Sequence, residues 1–325
     1  MHNRAILVTG AGGSIGSALC ARVLALEPAK LVMLNLTEHG LAALARQIQT
    51  CPQASIDRCV YVLGSVLDEV LLSRIMEGID LVIHTAAYKH VPICEPNPCV
   101  AVQNNIDGSR AVFEAARAAG VQQCLFVSTD KAVAPASVMG ATKYIAERLV
   151  AGLSSPGYRT SFLTVRFGNV LDSAGSVLPL WREQIARGGP VTITDPRCER
   201  YFMTVDDACT LILATLAFQA TCGTFVFDMG PPRNLLDLAT EVIAASASPA
   251  TMLVDYIGLR PGEKLTEQLT YSNQMMPTAH PKVFAVDQVP PLHLRDKRLT
   301  RLLMAAYSHQ AEETCQLLWQ LVKGS

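Results

Sequence analysis

Residues 5–24 read AILVTGAGGSIGSALCARVL, which is a short apolar run, a glycine-rich turn and the start of a helical pattern. Gly10, Gly13 and Gly16 let the backbone turn tightly and approach a pyrophosphate that rests on the amide groups of a helix N-terminus. A glycine triplet alone is weakly specific. Its position between a strand and an amphipathic helix makes this stretch a predicted dinucleotide-binding turn.

Further apolar runs alternate with helical patterns along the first half of the chain. They read LVMLNL, VYVLGSV, LVIHTAA and CLFVSTD, and SFLTVRF (161–167) and TFVFDMG (224–230) follow them. Strands that are separated by helices indicate a parallel sheet covered on both faces. We therefore predict an α/β fold of the Rossmann type, with a doubly wound parallel sheet and a smaller C-terminal substrate-binding lobe.

The predicted domain boundaries lie where this alternation weakens. We expect a dinucleotide-binding domain over residues 1–165, with about 203–230 completing its sheet. Residues 166–202 and 231–325 should form the substrate-binding lobe and the C-terminal helices. Proline and glycine are frequent in GGPVTITDPRCERYF and YIGLRPGEK, as expected of a lobe that caps the strand ends.

The composition excludes several classes of function. The 27 lysines and arginines nearly cancel the 28 aspartates and glutamates, so we expect no nucleic-acid partner and no membrane partner. Ten cysteines are scattered without a Cys-x-x-Cys pair, which favours reduced thiols in a cytoplasmic protein and no metal site. The longest apolar run, at 211–218, is too short to cross a bilayer, and we expect no signal peptide.

The end of the second predicted strand, LNLTEHG, should determine which of the two nicotinamide cofactors binds more tightly. An acid there binds the ribose hydroxyls, whereas a basic residue binds an additional phosphate. The stretch offers Asn35, Thr37 and Glu38 but no arginine or lysine, so NAD is the expected cofactor and NADP is less favoured. The predicted cofactor-binding residues are Gly10, Gly13, Ser14, Ile15, Gly16, Asn35, Thr37, Ala86 and Lys143.

Residues 124–148, CLFVSTDKAVAPASVMGATKYIAER, look like the catalytic segment of a short-chain dehydrogenase with one residue missing. In such enzymes a serine or threonine at a strand end is followed by Tyr-x-x-x-Lys on a helix, and the tyrosine takes the hydroxyl proton. Here Met139 holds the position four residues before Lys143. A thioether carries no proton, so the protein is either inactive or moves protons through other residues.

Four strings carry a closer resemblance: HTAAYKHVPICEPNP, STDKAVAPASVMGATK, RFGNVLDSAGSVLPLWREQIARGGPVTITDPRCERYFMTVDDA and LRPGEKLTEQL. They resemble the nucleotide-sugar 4,6-dehydratases of bacterial polysaccharide biosynthesis, which are extended short-chain dehydrogenases. The similarity runs from residue 5 to about residue 270. It implies a nucleotide-sugar substrate, typically UDP-N-acetylglucosamine, and a homo-oligomer such as a dimer. Members of this family often have methionine in the tyrosine position, so Met139 does not by itself imply an inactive protein.

A 4,6-dehydratase oxidises sugar C4, eliminates water across C5 and C6, and returns the hydride to C6. The C4 ketone acidifies the C5 proton, so the site needs a base at C5 and an acid at the C6 hydroxyl. We assign Lys131 as the base and Asp130 as the acid, while Lys143 should hold the nicotinamide ribose and Thr129 or Ser128 should pass on the C4 proton. The predicted catalytic residues are Thr129, Asp130, Lys131, Met139 and Lys143.

The substrate-binding residues are predicted on mixed grounds. Arg200 and Arg260 should bind the nucleoside diphosphate, because guanidinium groups bind phosphate oxygens bidentately; the alternative for each is a surface salt bridge. The resemblance adds contacts of Asn169 to the diphosphate region and of Glu263 to the uridine ribose. It also brings Lys89 and His90 into the site loop, where a structural hydrogen bond is an equal alternative for His90.

Two other functions remain open from the sequence. A 4-epimerase shares the fold and the hydride step but needs neither the acid nor the C5 base, so the Asp130-Lys131 pair argues against it. A non-catalytic dinucleotide-binding sensor or scaffold would tolerate the missing tyrosine. The retained Lys143 and an elaborate phosphate-binding lobe argue against that alternative.

Overall fold

The structure is a computed structural model, which describes residues 1–51, 56–153, 159–218, 222–246, 252–272 and 274–324. Its strands are β1 (Ala5–Thr9), β2 (Lys30–Asn35), β3 (Cys59–Leu63), β4 (Leu81–His84), β5 (Gln123–Val127), β6 (Ser161–Arg166), β7 (Asn169–Val170), β8 (Val191–Ile193), β9 (Glu199–Arg200), β10 (Phe202–Met203), β11 (Cys222–Phe227), β12 (Arg233–Asn234), β13 (Val254–Tyr256), β14 (Met276–Pro277) and β15 (Val283–Val286).

The helices are α1 (Ser14–Leu24), α2 (Glu38–Gln49), α3 (Glu69–Ile75), α4 (Val91–Cys94), α5 (Pro98–Val102), α6 (Gly108–Ala118), α7 (Val138–Leu153), α8 (Val177–Ala186), α9 (Val205–Leu216), α10 (Leu235–Ala244), α11 (Lys297–Tyr307) and α12 (Ala311–Lys323). Short 3-10 turns cover Ile56–Arg58 and Asp130–Ala132, and a π-helical turn covers Gln103–Asp107.

One large sheet organises the molecule, with the strand order β14-β15-β11-β6-β5-β4-β1-β2-β3. The seven strands from β3 to β11 run parallel, as the runs of consecutive apolar residues predict. From β1 the chain first adds β2 and β3 on one side, and it then crosses over to add β4 on the other side of β1. The predicted doubly wound Rossmann fold is thus confirmed, and ligands of such sheets bind in the crevice at this crossover point.

Apolar helix faces cover both sides of this sheet. On one side, residues of α1, α2 and α9 pack with the strands, and on the other side α3, α5, α6 and α7 do so. A third apolar cluster, built around Trp181 of α8 and Leu238 of α10, forms the core of a small lobe with β8 and β13. Its helices and strands fall within residues 166–202 and 231–325, and substrate binding by this lobe stays a prediction.

The C-terminal part of the chain departs from the predicted boundaries. Residues 276–286 belong to the main sheet, because β15 pairs antiparallel with β11 and β14 pairs with β15. The C-terminal helices, which the prediction named beside the lobe, are α11 and α12, and they pack against α5 and α7. The physical reason lies in α7, which is buried on nearly all sides and therefore needs a cover on its outer face.

Candidate active site

Two glycines of the turn between β1 and α1 lie so close to neighbouring backbone atoms that a side chain would not fit at either position. Gly10 has a φ of +69°, and a Cβ there would lie 2.7 Å from the backbone of Ala86. A Cβ at Gly16 would lie 2.2 Å from the carbonyl oxygen of Gly10. Gly13 precedes α1 and supplies no side-chain cap, so the first amide groups of that helix are left for another acceptor. This geometry fits a pyrophosphate at the helix N-terminus.

A cleft opens at the carboxyl ends of the first four strands. It is lined by Gly10, Gly13, Leu34, Asn35, Leu36, Gly64, Ser65, Val66, Thr85, Ala86, Ala87, Tyr88 and Asn104. Four predicted cofactor-binding residues, Gly10, Gly13, Asn35 and Ala86, therefore come together there. Ile15 packs its side chain against the apolar core, so only its backbone could serve a ligand. The glycine turn and a lining that joins the ends of four strands fit a dinucleotide.

Asn35 joins the glycine turn to the start of α2. Its Oδ1 accepts a hydrogen bond from the Gly12 amide at 3.1 Å, and its Nδ2 donates to the carbonyl oxygen and Oγ1 of Thr37 at 3.0 and 3.1 Å. Thr37 in turn caps α2 by accepting from the Gly40 amide. Only a side chain with both a donor and an acceptor makes this pattern, which explains the amide where a carboxylate was expected. A ribose hydroxyl would share these atoms, and the predicted ribose contacts of Asn35 and Thr37 stay predictions.

The loop Asp172–Ser176 reaches across the N-terminus of α1. Ser14 accepts a hydrogen bond from the Ala174 amide through its Oγ at 2.9 Å. Gly175 has a φ of +68°, and a Cβ there would lie 2.5 Å from the imidazole of His90. The loop thus links the predicted pyrophosphate site to the segment after β4, which carries Lys89 and His90.

Lys89 and His90 are exposed on the segment that follows β4, next in the chain to the cleft-lining Tyr88. Partial desolvation lowers the pKa of Lys89, although its side chain still reaches solvent. Burial, and then the neighbouring Lys89, lower the pKa of His90. His90 therefore favours its neutral form and packs against Gly175, while substrate contacts of both residues stay predictions.

The turn after β5 brings four predicted residues into one hydrogen-bonded group. Asp130 is fully buried, and its Oδ1 accepts from Thr129 Oγ1 at 2.8 Å and from Lys131 Nζ at 3.0 Å. Lys131 Nζ also donates to Oδ1 of Asn169 at 3.1 Å. Asp130 Oδ2 is buried and has no hydrogen-bond partner among the described residues. A buried acceptor without a partner is uncommon and calls for an explanation, such as a water molecule or a ligand group.

Lys143 and Met139 lie one turn apart on α7, and both are buried. Lys143 Nζ donates to the Val127 carbonyl oxygen at 2.7 Å and lies 4.1 Å from the centre of the Phe126 ring. Burial lowers the pKa of Lys143 to about 7, against the opposing charge of Glu147. An amine with this pKa can take up and release a proton near neutral pH.

Met139→Ala should destabilise the protein without removing a proton-transfer group. Met139 is only 3% exposed, so its truncation should leave a cavity that lowers the free energy of unfolding by about 2–5 kcal/mol. Met304→Ala is the matched control, because Met304 is 66% exposed and its loss should change stability by less than about 0.5 kcal/mol. Denaturant unfolding of both variants measures this difference.

Arg200 is engaged by the protein backbone. Its Nη1 donates to the carbonyl oxygens of Glu199 and Leu265 at 2.7 and 2.8 Å, and its Nη2 donates to that of Lys264 at 2.7 Å. The guanidinium therefore fastens residues 264–265 to β9. Neither alternative foreseen from the sequence, a phosphate clamp or a surface salt bridge, describes these contacts, and a phosphate contact of Arg200 stays a prediction.

Arg260 and Glu263 form an ion pair within one turn. Arg260 donates through Nε and Nη2 to Glu263 Oε1 at 3.0 and 2.6 Å, and its amide donates to Oε2 at 3.0 Å. The turn adjoins the start of α7, since a Cβ at Gly262 would lie 2.8 Å from both Glu95 Oε1 and Ser137 Cβ. The separate predicted contacts of Arg260 with diphosphate and of Glu263 with ribose would require this pair to rearrange, and both stay predictions.

Sequence reasoning missed the segment that follows this turn. Lys264 Nζ donates to the Val133 carbonyl oxygen at 2.9 Å, and the Tyr271 hydroxyl donates to the Ala132 carbonyl oxygen at 3.0 Å. Glu267 is 4% exposed, and its Oε1 lies 3.8 Å from Lys131 Nζ. The only available signal was the LRPGEKLTEQL string, which did not indicate which of its side chains reach the turn after β5.

The part of the chain that the structure describes offers no metal site and no membrane span. It holds no group of three or more His, Cys, Asp or Glu side chains placed to bind a metal ion. Within the same residues no helix is both long and apolar enough to span a membrane.

Comparison with known proteins gives a consistent picture. The family model for polysaccharide biosynthesis proteins matches residues 6–288. The capsular polysaccharide biosynthesis protein CapD of Staphylococcus aureus is 42% identical over 280 residues, which cover 85% of this chain and 47% of CapD. The chain thus spans about half the length of this relative, and likewise of the Bacillus subtilis protein EpsC, which is 40% identical over 278 residues.

Three further matches cover most of both chains. A UDP-N-acetylglucosamine 4,6-dehydratase (inverting) of Campylobacter jejuni is 32% identical over 299 residues, covering 88% of this chain and 86% of the relative. Among solved structures, Pen from Bacillus thuringiensis has a TM-score of 0.82 at 33% identity. The match covers 89% of this chain and 91% of the Pen chain. A UDP-glucose 4-epimerase of Rickettsia bellii is also similar, at 30% identity over 277 residues, covering 84% and 79%.

Proposed function

The chain belongs to the family of polysaccharide biosynthesis proteins, and from this premise we propose that it is a nucleotide-sugar 4,6-dehydratase acting on UDP-N-acetylglucosamine. The observation that carries the proposal is the group formed by Thr129, Asp130, Lys131 and Asn169 at the carboxyl end of β5. It supplies an amine and a carboxyl group side by side, which is what an elimination needs. The similarity to a Campylobacter jejuni enzyme that bears this name supports the choice of sugar.

The proposed chemistry divides the proton transfers among different residues. A bound nicotinamide would supply the reversible hydride transfer, taking hydride from C4 and returning it to C6. Lys131 takes the C5 proton, and Asp130 gives a proton to the departing C6 hydroxyl through its unpartnered Oδ2, so that water leaves. When hydride returns to C6, C5 takes up a proton again, which completes the 4-keto-6-deoxy sugar. Thr129 passes the C4 hydroxyl proton toward Lys143, whose pKa of about 7 suits an acceptor at neutral pH.

The epimerase alternative has support from the Rickettsia bellii relative. An epimerase, however, leaves C5 and C6 untouched, so Lys131 and Asp130 would have no proton to move. A sensor or scaffold would need neither an ion pair between Lys131 and the buried Asp130 nor a buried amine at Lys143. The dehydratase is therefore the function that uses the whole group.

Incubation with UDP-N-acetylglucosamine followed by mass spectrometry tests the proposal. A dehydratase gives a product that has lost one water molecule, and an epimerase gives a product of unchanged mass. A scaffold leaves the sugar as it was. Product without loss of water would contradict the dehydratase assignment.

The cofactor choice gives a separate prediction. The protein should bind NAD more tightly than NADP, since residues 35–40 include no lysine or arginine to neutralise a 2′-phosphate and include the acidic Glu38. Calorimetric titration of the protein with each dinucleotide measures the two affinities. Tighter binding of NADP would refute this choice.

A further inference from the structure

Glu267 is a buried acid that no proposed step uses. It is 4% exposed, and Oε1 lies 3.8 Å from Lys131 Nζ while Oε2 lies 3.3 Å from Lys264 Nζ. The contact with Lys264 is close enough for an ion pair, although its geometry does not make a hydrogen bond. A carboxylate is costly to bury, so its position between two amines needs an explanation.

The segment that carries Glu267 is held firmly against the turn after β5. Arg200 binds the carbonyl oxygens of Lys264 and Leu265, and Thr266 bridges to Glu199. From this segment the Lys264 ammonium reaches the Val133 carbonyl oxygen. The carboxylate of Glu267 is thus fixed in place by contacts that lie outside Lys131 itself.

The charge on Lys131 changes during the proposed elimination. A neutral amine that takes the C5 proton becomes an ammonium, and a carboxylate already in place stabilises that developing charge without reorganising. Asp130 gives up its proton in the same elimination, whereas Glu267 faces the two amines of Lys131 and Lys264. Its distance from Lys131 suits an electrostatic effect better than direct proton transfer.

We propose that Glu267 is a positioning residue for the elimination step, which orients Lys131 toward C5 and stabilises the ammonium that Lys131 becomes. This inference rests on the proposed dehydratase function. It concerns only the second half-reaction, so C4 oxidation and cofactor binding are independent of Glu267.

Glu267→Gln tests the inference because it keeps the shape of the side chain and removes the charge. With UDP-N-acetylglucosamine, the rate of C4 oxidation should stay at the wild-type value while kcat for the dehydrated product falls about ten- to hundredfold and KM stays unchanged. Reduced nicotinamide should therefore build up, as seen by stopped-flow absorbance. Glu267→Asp, which retains the charge, should keep more activity than Glu267→Gln.

Two controls separate this role from a structural one. Glu241→Gln removes the carboxylate of the Arg233 ion pair elsewhere in the small lobe and should leave kcat unchanged. In a Lys131→Met background, Glu267→Gln should slow product formation no further, because the residue it acts through is gone. Thermal unfolding and NAD titration of each variant show whether the fold and the dinucleotide site are intact.

The outcomes distinguish the inference from the function on which it rests. Equal loss of C4 oxidation and product formation in Glu267→Gln, or no loss of either, would overturn the role of Glu267 while the dehydratase assignment stands. If Glu267→Gln does not fold, Glu267→Asp must show a smaller but still selective build-up of reduced nicotinamide, because its shorter side chain moves the charge away from Lys131, and absence of that build-up overturns the role. Failure of the unsubstituted protein to dehydrate the sugar would overturn both.

Discussion

Lys131→Met should slow dehydration severely and leave the oxidation of C4 in place. The reason is that hydride transfer does not require a base at C5, whereas elimination does. Product formation should fall by on the order of a hundred- to ten-thousandfold, the usual contribution of a general base. Reduced nicotinamide should accumulate on mixing with UDP-N-acetylglucosamine, and the wild-type protein should show little such build-up.

The matched control for this variant is Lys297→Met, which removes an exposed lysine at the start of α11 and should change neither signal. Stopped-flow absorbance of the reduced nicotinamide, recorded alongside product mass, measures both half-reactions. Dehydrated product from Lys131→Met at the wild-type rate would remove Lys131 from the role of base.

Lys143→Met should slow the first half-reaction itself. Without this amine, the C4 hydroxyl proton has no acceptor beyond Thr129, and the predicted contact with the nicotinamide ribose is lost. Initial oxidation should fall by on the order of a hundredfold or more, and dinucleotide binding should weaken. The free energy of unfolding should not fall. Burial of the Lys143 amine, which lowers its pKa to about 7, costs stability, whereas burial of a methionine side chain does not.

The comparison that matters for Lys143 is with Met139→Ala and with Lys30→Met, an exposed lysine at the start of β2. Lys30→Met should oxidise C4 normally. Met139→Ala should keep oxidation as long as it is folded and binds NAD, since sulfur carries no proton. Loss of oxidation in Met139→Ala as complete as in Lys143→Met would refute the relay that runs without tyrosine.

The fold was predictable where local pattern and tertiary burial agree. Residues such as Ile6, Leu7 and Val8 of β1 form a short apolar run because both faces of a parallel strand are covered. The pairing of β15 with β11 was not predictable, since VFAV is equally consistent with many buried environments. The packing of α11 and α12 against α7 likewise depends on surfaces that are distant in the sequence.

The site shows the same division. The Thr129, Asp130 and Lys131 group could be located because its members are adjacent and follow a strand. Glu267 was missed because its contact with Lys131 spans more than a hundred residues and no spacing rule reports it. Arg200 was assigned to phosphate binding by its residue type. A guanidinium also donates to backbone carbonyl oxygens, as Arg200 does to those of Lys264 and Leu265, and no sequence pattern indicates such contacts.

The most direct measurement uses UDP-N-acetylglucosamine with deuterium at C4 of the sugar, incubated with the protein and NAD. A 4,6-dehydratase moves that deuterium to C6 of the same molecule while one water molecule is lost, so the account predicts a dehydrated product with deuterium on its methyl group, visible by mass spectrometry and NMR. A sugar of unchanged mass with deuterium still at C4 would contradict the account, and so would a dehydrated product without deuterium at C6.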